Sequence, residues 1–380
     1  MNPTQHFFTH ILSGTRSLYV FVQPYQLLEG MMFFIALISI ILVFILFYLA
    51  KRSRRSARRK ALREQFSEVI SEIAVCDSQE EVAALLNEPS IMNILDPSLK
   101  DPFSRKVLIK ELLLTARSMS GMARENVCWI YGNFSLDQDS LLRLKTGKWH
   151  TKARAIQELS QLKQNKHITK IYRYTNDRND LVRNEARVGV IKLTGFDGLR
   201  FLDVISYPIT EWEQLSLLHE LLHRPGLKPL ELKRWLTSGN TSVVEFALRL
   251  TETFRVHELH DEVLACLKSP YLSARLKALQ ALKEIHGGET ANEIITALVK
   301  EENPVVQRAM LECLGHIGSE VQIDRLVPFL SNSPQEVKMA AATCISNLDP
   351  QGFAGVAAHV DENSFPWNVL LKQLRKEVSL

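Results

Sequence analysis

The chain is short of most of what chemistry needs. Five cysteines stand in 380 residues, Cys76, Cys128, Cys266, Cys313 and Cys344, an odd number with no CxxC pair. That scatter speaks against a disulfide framework and for reduced thiols in the core of a cytosolic domain. A glycine-rich phosphate loop, a nucleophile elbow and the motif set of a kinase are all missing. Residues 1–30 lack the basic opening of a signal peptide, carrying only Arg16 and Glu29 among scattered aromatics, Phe7, Phe8, Tyr19, Phe21 and Tyr25. Such rings suit a membrane interface, and Pro24 and Gly30 are expected to break this stretch from the next element.

Charge is missing altogether from Met31 to Ala50, twenty residues reading MMFFIALISIILVFILFYLA. As a helix this run spans about 30 Å, the thickness of a bilayer core. Acid is then missing from residues 51–63, which hold Lys51, Arg52, Arg54, Arg55, Arg58, Arg59, Lys60 and Arg63. Removing these eight from the 46 basic residues leaves 38 against 42 acidic ones, so the net charge of +4 comes from one local patch. This argues against a nucleic-acid surface along the chain. Positive charge beside a span stays on the cytoplasmic side and attracts anionic lipid. The expected layout is therefore a single-pass membrane protein, with residues 1–30 outside, 31–50 spanning, 51–63 a basic stop and the bulk cytoplasmic.

Residues 64–146 read as a helical connector. Phe66, Val69, Ile70 and Ile73 continue a helix out of the membrane, Pro89, Pro97 and Pro102 punctuate a loop, and Val107–Met119 and Gly121–Phe134 form further helices. From there a repeat emerges, clearest between Asn303 and Ser333. Asn303-Pro304 opens a helix whose apolar stripe is Val306, Ala309, Met310, Cys313, Leu314 and Ile317; Gly315 and Gly318 read as a turn; Ile323, Leu326, Val327 and Leu330 mark a second, antiparallel helix. Placing the first core position of each copy at Trp149, Val182, Trp212, Val243, Leu272, Val306 and Val337 gives steps of 33, 30, 31, 29, 34 and 31 residues. A small residue follows at Ala153, Ala186, Ala247, Ala309 and Ala340, where two helices must approach. Second helices are marked by Phe201, Leu202, Val204 and Ile205, by Leu259, Val263, Leu264 and Leu267, and by Ile294, Ile295, Leu298 and Val299. Cys313 and Cys344 fall at one place in successive copies. Two short helices cannot bury their own apolar faces, so each pair needs neighbours.

The pattern Pro-x-Val-x-x-Ala with a paired second helix resembles HEAT repeats, particularly the short bacterial form related to phycobilin-lyase repeats. The resemblance covers residues 147–362 and implies an all-α solenoid of about seven helix pairs, with residues 363–380 as a capping helix and the second helices lining the inner curve. It implies protein binding rather than catalysis, with no cofactor, and makes Arg200, Lys233, Arg234 and Glu262 the candidate partner face. The layout of span, basic stop and repeats also resembles a group of membrane-anchored bacterial proteins associated with membrane glycosyltransferases. This implies a bacterial inner membrane, and a regulatory subunit of such an enzyme as an alternative.

One motif points elsewhere. His219-Glu220-Leu221-Leu222-His223 matches HExxH, in which two histidines one turn apart bind zinc and the glutamate is the base. The continuation through Gly226 resembles the metzincin extension, but Pro229 stands where the third histidine belongs, leaving Glu245 or Glu252 as the nearest substitutes. A stripe of Trp212, Leu215, Leu218 and Leu222 is expected to pack the helix into the array with His219 on that face, and Pro225 ends it. A zinc peptidase using His219, Glu220 and His223 is therefore the alternative and a non-enzymatic scaffold the main expectation. Tyr172 and Tyr174 beside Arg173 read as packing residues, and His257-Glu258-Leu259-His260 as a solvated helix start.

Overall fold

The computed structural model describes residues 24–222, 224–331, 333–349, 351–352, 356–361 and 367–369. Every regular element among them is helical. The chain divides into two compact units, one ending at Val127 and the other beginning at Cys128.

The first unit is organised by α1 (Pro24–Val75), a continuous helix of 52 residues. Gly30 does not interrupt it, because a lone glycine in a helix costs only about 1 kcal/mol and the flanking residues are strong helix formers. The apolar part is long enough to cross a bilayer, and none of its most apolar window is buried within the chain. Past the basic run the helix becomes amphipathic: Phe66, Val69, Ile70 and Ile73 are buried. The unit continues with α2 (Gln79–Leu86), α3 (Pro89–Lys100), α4 (Pro102–Ser118) and the first half of α5 (Gly121–Asn133). The three prolines expected in a loop are inside this helical region. Pro89 and Pro102 occupy first turns, where the missing N–H costs nothing, and Pro97 lies within α3. Helix α4 packs along α1. The Asn126 amide donates to the carbonyls of Ile73 (3.3 Å) and Cys76 (2.8 Å), satisfying the exposed end of α1.

In the second unit, α6 (Leu136–Thr146) packs on α7 (Trp149–Gln161), the first of seven repeat-opening helices. The others are α9 (Asp180–Thr194), α10 (Glu211–Leu221), α12 (Thr241–Phe254), α14 (Leu272–Ile285), α16 (Pro304–Ile317) and α19 (Gln335–Leu348). The second halves of the first six are, in order, α8 (Ile168–Tyr172), the 3-10 segment Gly195–Asp203, α11 (Pro229–Leu236), α13 (His260–Ala265), α15 (Thr290–Leu298) and the pair α17 (Ile323–Leu326) and α18 (Pro328–Ser331). The fold is all-α, a HEAT-like α-solenoid. The second halves are more broken than apolar spacing suggests, and Val204 and Val299, expected inside, are exposed. The expected capping helix lies outside the described residues except for 367–369, of which Trp367 is buried.

The structure also moves the register. The third residue of every opening helix holds the equivalent position, buried at Val182, Glu213, Val243, Ala274, Val306 and Val337 and half-buried at Thr151. The steps become 31, 31, 30, 31, 32 and 31 residues, tighter than the sequence pattern gave. Trp149, Trp212 and Leu272, expected in the core, are 49%, 73% and 39% exposed, because each precedes the inward position by one or two residues. Four residues beyond it stand Ala155, Ala186, Leu217, Ala247, Ala278, Met310 and Ala341, all buried. Ala309 is only half-buried; Met310 takes the place assigned to it. Close approach is clearest at Gly189, where a Cβ would stand 3.2 Å from both Ile156 Cγ2 and Ser160 Cβ of α7. Gly315, expected in a turn, is inside α16, facing the Cys344 backbone of α19. Asn303 caps α16 as expected, its side chain accepting from the Val305 N–H at 3.0 Å. All five cysteines are free and buried, and burial pushes the Cys313 and Cys344 thiols up to about 12.

Opening helices stack side by side as α7–α9, α12–α14, α14–α16 and α16–α19, and α10 packs on α9. The joint there is polar. Arg187 has no exposed surface; its Nε donates to the Thr175 carbonyl (3.1 Å), Nη2 to the Tyr207 carbonyl (3.2 Å) and Nη1 to Glu213 (3.4 Å). Glu213 in turn closes a capping box with Thr210 at the start of α10.

Candidate interaction surface

From the Gly195–Asp203 segment onward, polar side chains of second halves cross from one repeat to the next about 30 residues on. Lys228 reaches Asp197 at 2.6 Å, Arg200 reaches Glu231 at 3.9 Å, and Arg234 grips both oxygens of Asp203 at 2.8 and 2.7 Å. The Trp235 indole also donates to Asp203, at 2.7 Å. Lys233 pairs with Glu262 on α13. Further along, the Gln322 amide donates to Asn292 at 3.4 Å and Arg325 to the Thr296 hydroxyl at 3.2 Å. Hydrogen bonding to its Lys233 partner holds the Glu262 carboxyl below its ordinary range, and the same bond raises Lys233.

The four candidate residues Arg200, Lys233, Arg234 and Glu262 thus fall on one face, three neighbouring second halves deep. Each already holds a partner within the repeat array. Two of their acidic counterparts, Asp203 and Glu231, and the neighbouring Lys228–Asp197 pair are not marked by the apolar pattern of the sequence. The signal was there, in opposite charges one repeat apart, but only a correct register reveals it. Exposed ion pairs of this kind contribute little stability, about 0–1 kcal/mol each, so they leave the surface chemically open.

The residues of the HExxH motif are placed differently from expectation. Trp212, Leu215 and Leu222 face outward, and the packed face of α10 is Glu213, Gln214, Leu217 and Leu221. Glu213 points inward because it serves Arg187 and the helix cap. His219 is accordingly exposed rather than on the packed face. Glu220 pairs with Lys192 at 3.2 Å, and His223 lies outside the described residues. Among the described residues no group of three His, Cys, Asp or Glu side chains could hold a metal ion. Burial raises the Glu252 carboxyl above its ordinary value. The Tyr174 hydroxyl donates to the Leu144 carbonyl at 3.1 Å and Tyr172 packs on the core, as their reading as packing residues implies.

In the first unit the basic run divides in two. Arg58 pairs with Asp101 at 2.8 Å and Arg63 with Glu111 at 3.1 Å, while Arg55 and Arg58 lie over the Phe103 ring at 5.7 and 5.2 Å. Lys60 approaches Glu64, one turn on, at 3.9 Å. Lys51, Arg52, Arg54 and Arg59 are exposed with no side-chain partner among the described residues.

Residues 261–346 match the family of HEAT repeats. No curated protein matches the chain by sequence. Among solved structures, importin beta aligns over 86% of this chain and 50% of its own, at 10% identity and a TM-score of 0.30. The chain thus spans about half the length of that protein.

Proposed function

We propose that the protein is a membrane-tethered scaffold or adaptor that binds protein partners on the row of second halves. The observation that carries this reading is the row itself: polar side chains one repeat apart, displayed along stacked pairs with HEAT repeats among them. Helix α1 supplies the tether. Lys51, Arg52, Arg54 and Arg59, without side-chain partners among the described residues, suit anionic headgroups at the cytoplasmic surface, where each basic residue contributes about 1 kcal/mol. The positive-inside rule sets the orientation. A reporter active only in the cytosol, fused after Leu380, is expected to work; activity instead from a reporter that requires export reverses the topology.

The partner surface is tested by exchanging charges while keeping the rungs. The combined variant Lys233→Glu, Glu262→Lys, Arg200→Glu, Glu231→Arg preserves each ion pair and inverts what the face presents, leaving the Trp235–Asp203 hydrogen bond intact. In membranes carrying the full-length protein, chemical cross-linking followed by mass spectrometry is expected to recover a defined partner from wild type. The variant should recover it at least tenfold less, with membrane insertion and thermal transition unchanged. If recovery survives the exchange but vanishes when residues 1 to 60 are replaced by an unrelated anchor, the partner surface lies in the membrane segment.

A further inference from the structure

Past the Lys233–Glu262 pair the ion-pair rungs stop: among the described residues none joins α13 to α15, and the contact that crosses is the 2.7 Å hydrogen bond between His260 Nε2 and the Thr290 hydroxyl at the start of the two helices. Beyond it the second halves part around a groove of about 650 Å³, a size that suits ligand sites. Leu264, Ala265, Leu267, Ala297 and Met310 give it an apolar floor, and the small Ala265 and Ala297 leave nothing to reach across.

The groove is electrically polarised. The His260–Thr290 bond aligns the two starts, so Asp261 and Glu293 share that end. Lys268 and Lys300, each seven residues further, share the other, about 10 Å away along helical chain. Arg275 and Glu301 also line the groove but neutralise each other at 3.0 Å. Glu293, Lys268 and Lys300 are exposed, and no ion-pair partner meets them among the described residues. Two negative charges therefore face two positive ones across an apolar floor, without the rungs that close neighbouring pairs.

We propose that this groove binds a short peptide segment of a partner protein. The segment carries a cationic group at the Asp261/Glu293 end, apolar side chains over Leu264, Ala265 and Ala297, and a carboxylate at the Lys268/Lys300 end. Charge complementarity fixes its direction: a segment of opposite polarity meets like charges at both ends, and a polyanion such as a nucleic acid meets repulsion at the acidic end. The inference rests on the second-half face being the partner surface, and names the site and the chemistry on it.

The test uses the full-length protein in detergent, panned against a random twelve-residue peptide library displayed on phage. Enriched peptides are expected to place Lys or Arg, then apolar residues, then Asp or Glu in one chain direction. The inverted variant Asp261→Lys, Glu293→Lys, Lys268→Glu, Lys300→Glu should enrich the opposite order. Filling the groove with Ala297→Trp should weaken a selected peptide at least tenfold; if that variant does not fold, the inverted one decides alone. No enrichment, the same order from the inverted variant, or undiminished binding to folded Ala297→Trp overturns the proposal. Each of these outcomes leaves partner recovery from membranes, which tests the wider reading, to be scored separately.

Discussion

Arg187→Leu is expected to destabilise the second unit by about 3–5 kcal/mol, the cost of leaving a buried charge without its partner. The guanidinium has no exposed surface and binds the Thr175 and Tyr207 carbonyls and the Glu213 carboxylate at once. Leucine would strand all three acceptors, of which Glu213 is itself buried. Burial pulls the Arg187 pKa down to about 10, with Glu213 pulling it back up, so the side chain stays charged at neutral pH. Because these partners come from the loop before α9, the loop before α10 and the first turn of α10, the loss should be local. Hydrogen exchange should show protection falling first in α9 and α10, with the chemical-denaturation midpoint lowered. Arg187→Lys, which keeps the charge but not the planar fork, should fall between wild type and leucine. A loss below about 1 kcal/mol for Arg187→Leu would mean that the joint is held by apolar packing instead.

That joint marks where the sequence stops being readable. The repeat itself was legible because valine and alanine recur inward at helical spacing in α9, α12 and α19, and Asn303-Pro304 announces a helix start. Register was legible wherever a large apolar residue occupies the third position. It slipped at α7, α10 and α14 because Thr151, Glu213 and Ala274 hold that position while Trp149, Trp212 and Leu272 stand just before it. Burial there is set by the neighbouring helices, which hydropathy does not record. Second halves were legible as apolar clusters but not as elements, since the 3-10 segment Gly195–Asp203 buries Phe201 and Leu202 but ends before Val204, which the departing chain carries outward.

Site legibility followed the same limit. Arg200, Lys233, Arg234 and Glu262 could be found as polar positions of second halves, but their acidic partners one repeat away required the corrected spacing. Arg187 was passed over because an arginine in a helix usually belongs to solvent, although it lies among Ala186, Val190 and Ile191, all buried. The groove between α13 and α15 had no sequence signature at all. It exists because no ion pair crosses there and Ala265 and Ala297 are too short to close it, which only the assembled stack displays.

The register of α10 gives the last expected result, a reversal of what hydropathy implies. Trp212 is the larger and more hydrophobic residue, yet it is 73% exposed, whereas Leu217 is fully buried. Leu217→Ala removes apolar atoms from the core and leaves a cavity, and should cost about 2–5 kcal/mol. Trp212→Ala removes a side chain already in solvent and should stay within about 0.5 kcal/mol. The pair also bears on the zinc alternative, because it fixes which side of the helix His219 occupies: Trp212 and Leu215 outward places it in solvent, Trp212 inward returns it toward the packed face. Denaturant unfolding of both variants in the full-length protein decides between them. If Trp212→Ala proves the costlier change, the helix is rotated from the position described, Glu213 no longer meets Arg187, and the polar joint is lost with it.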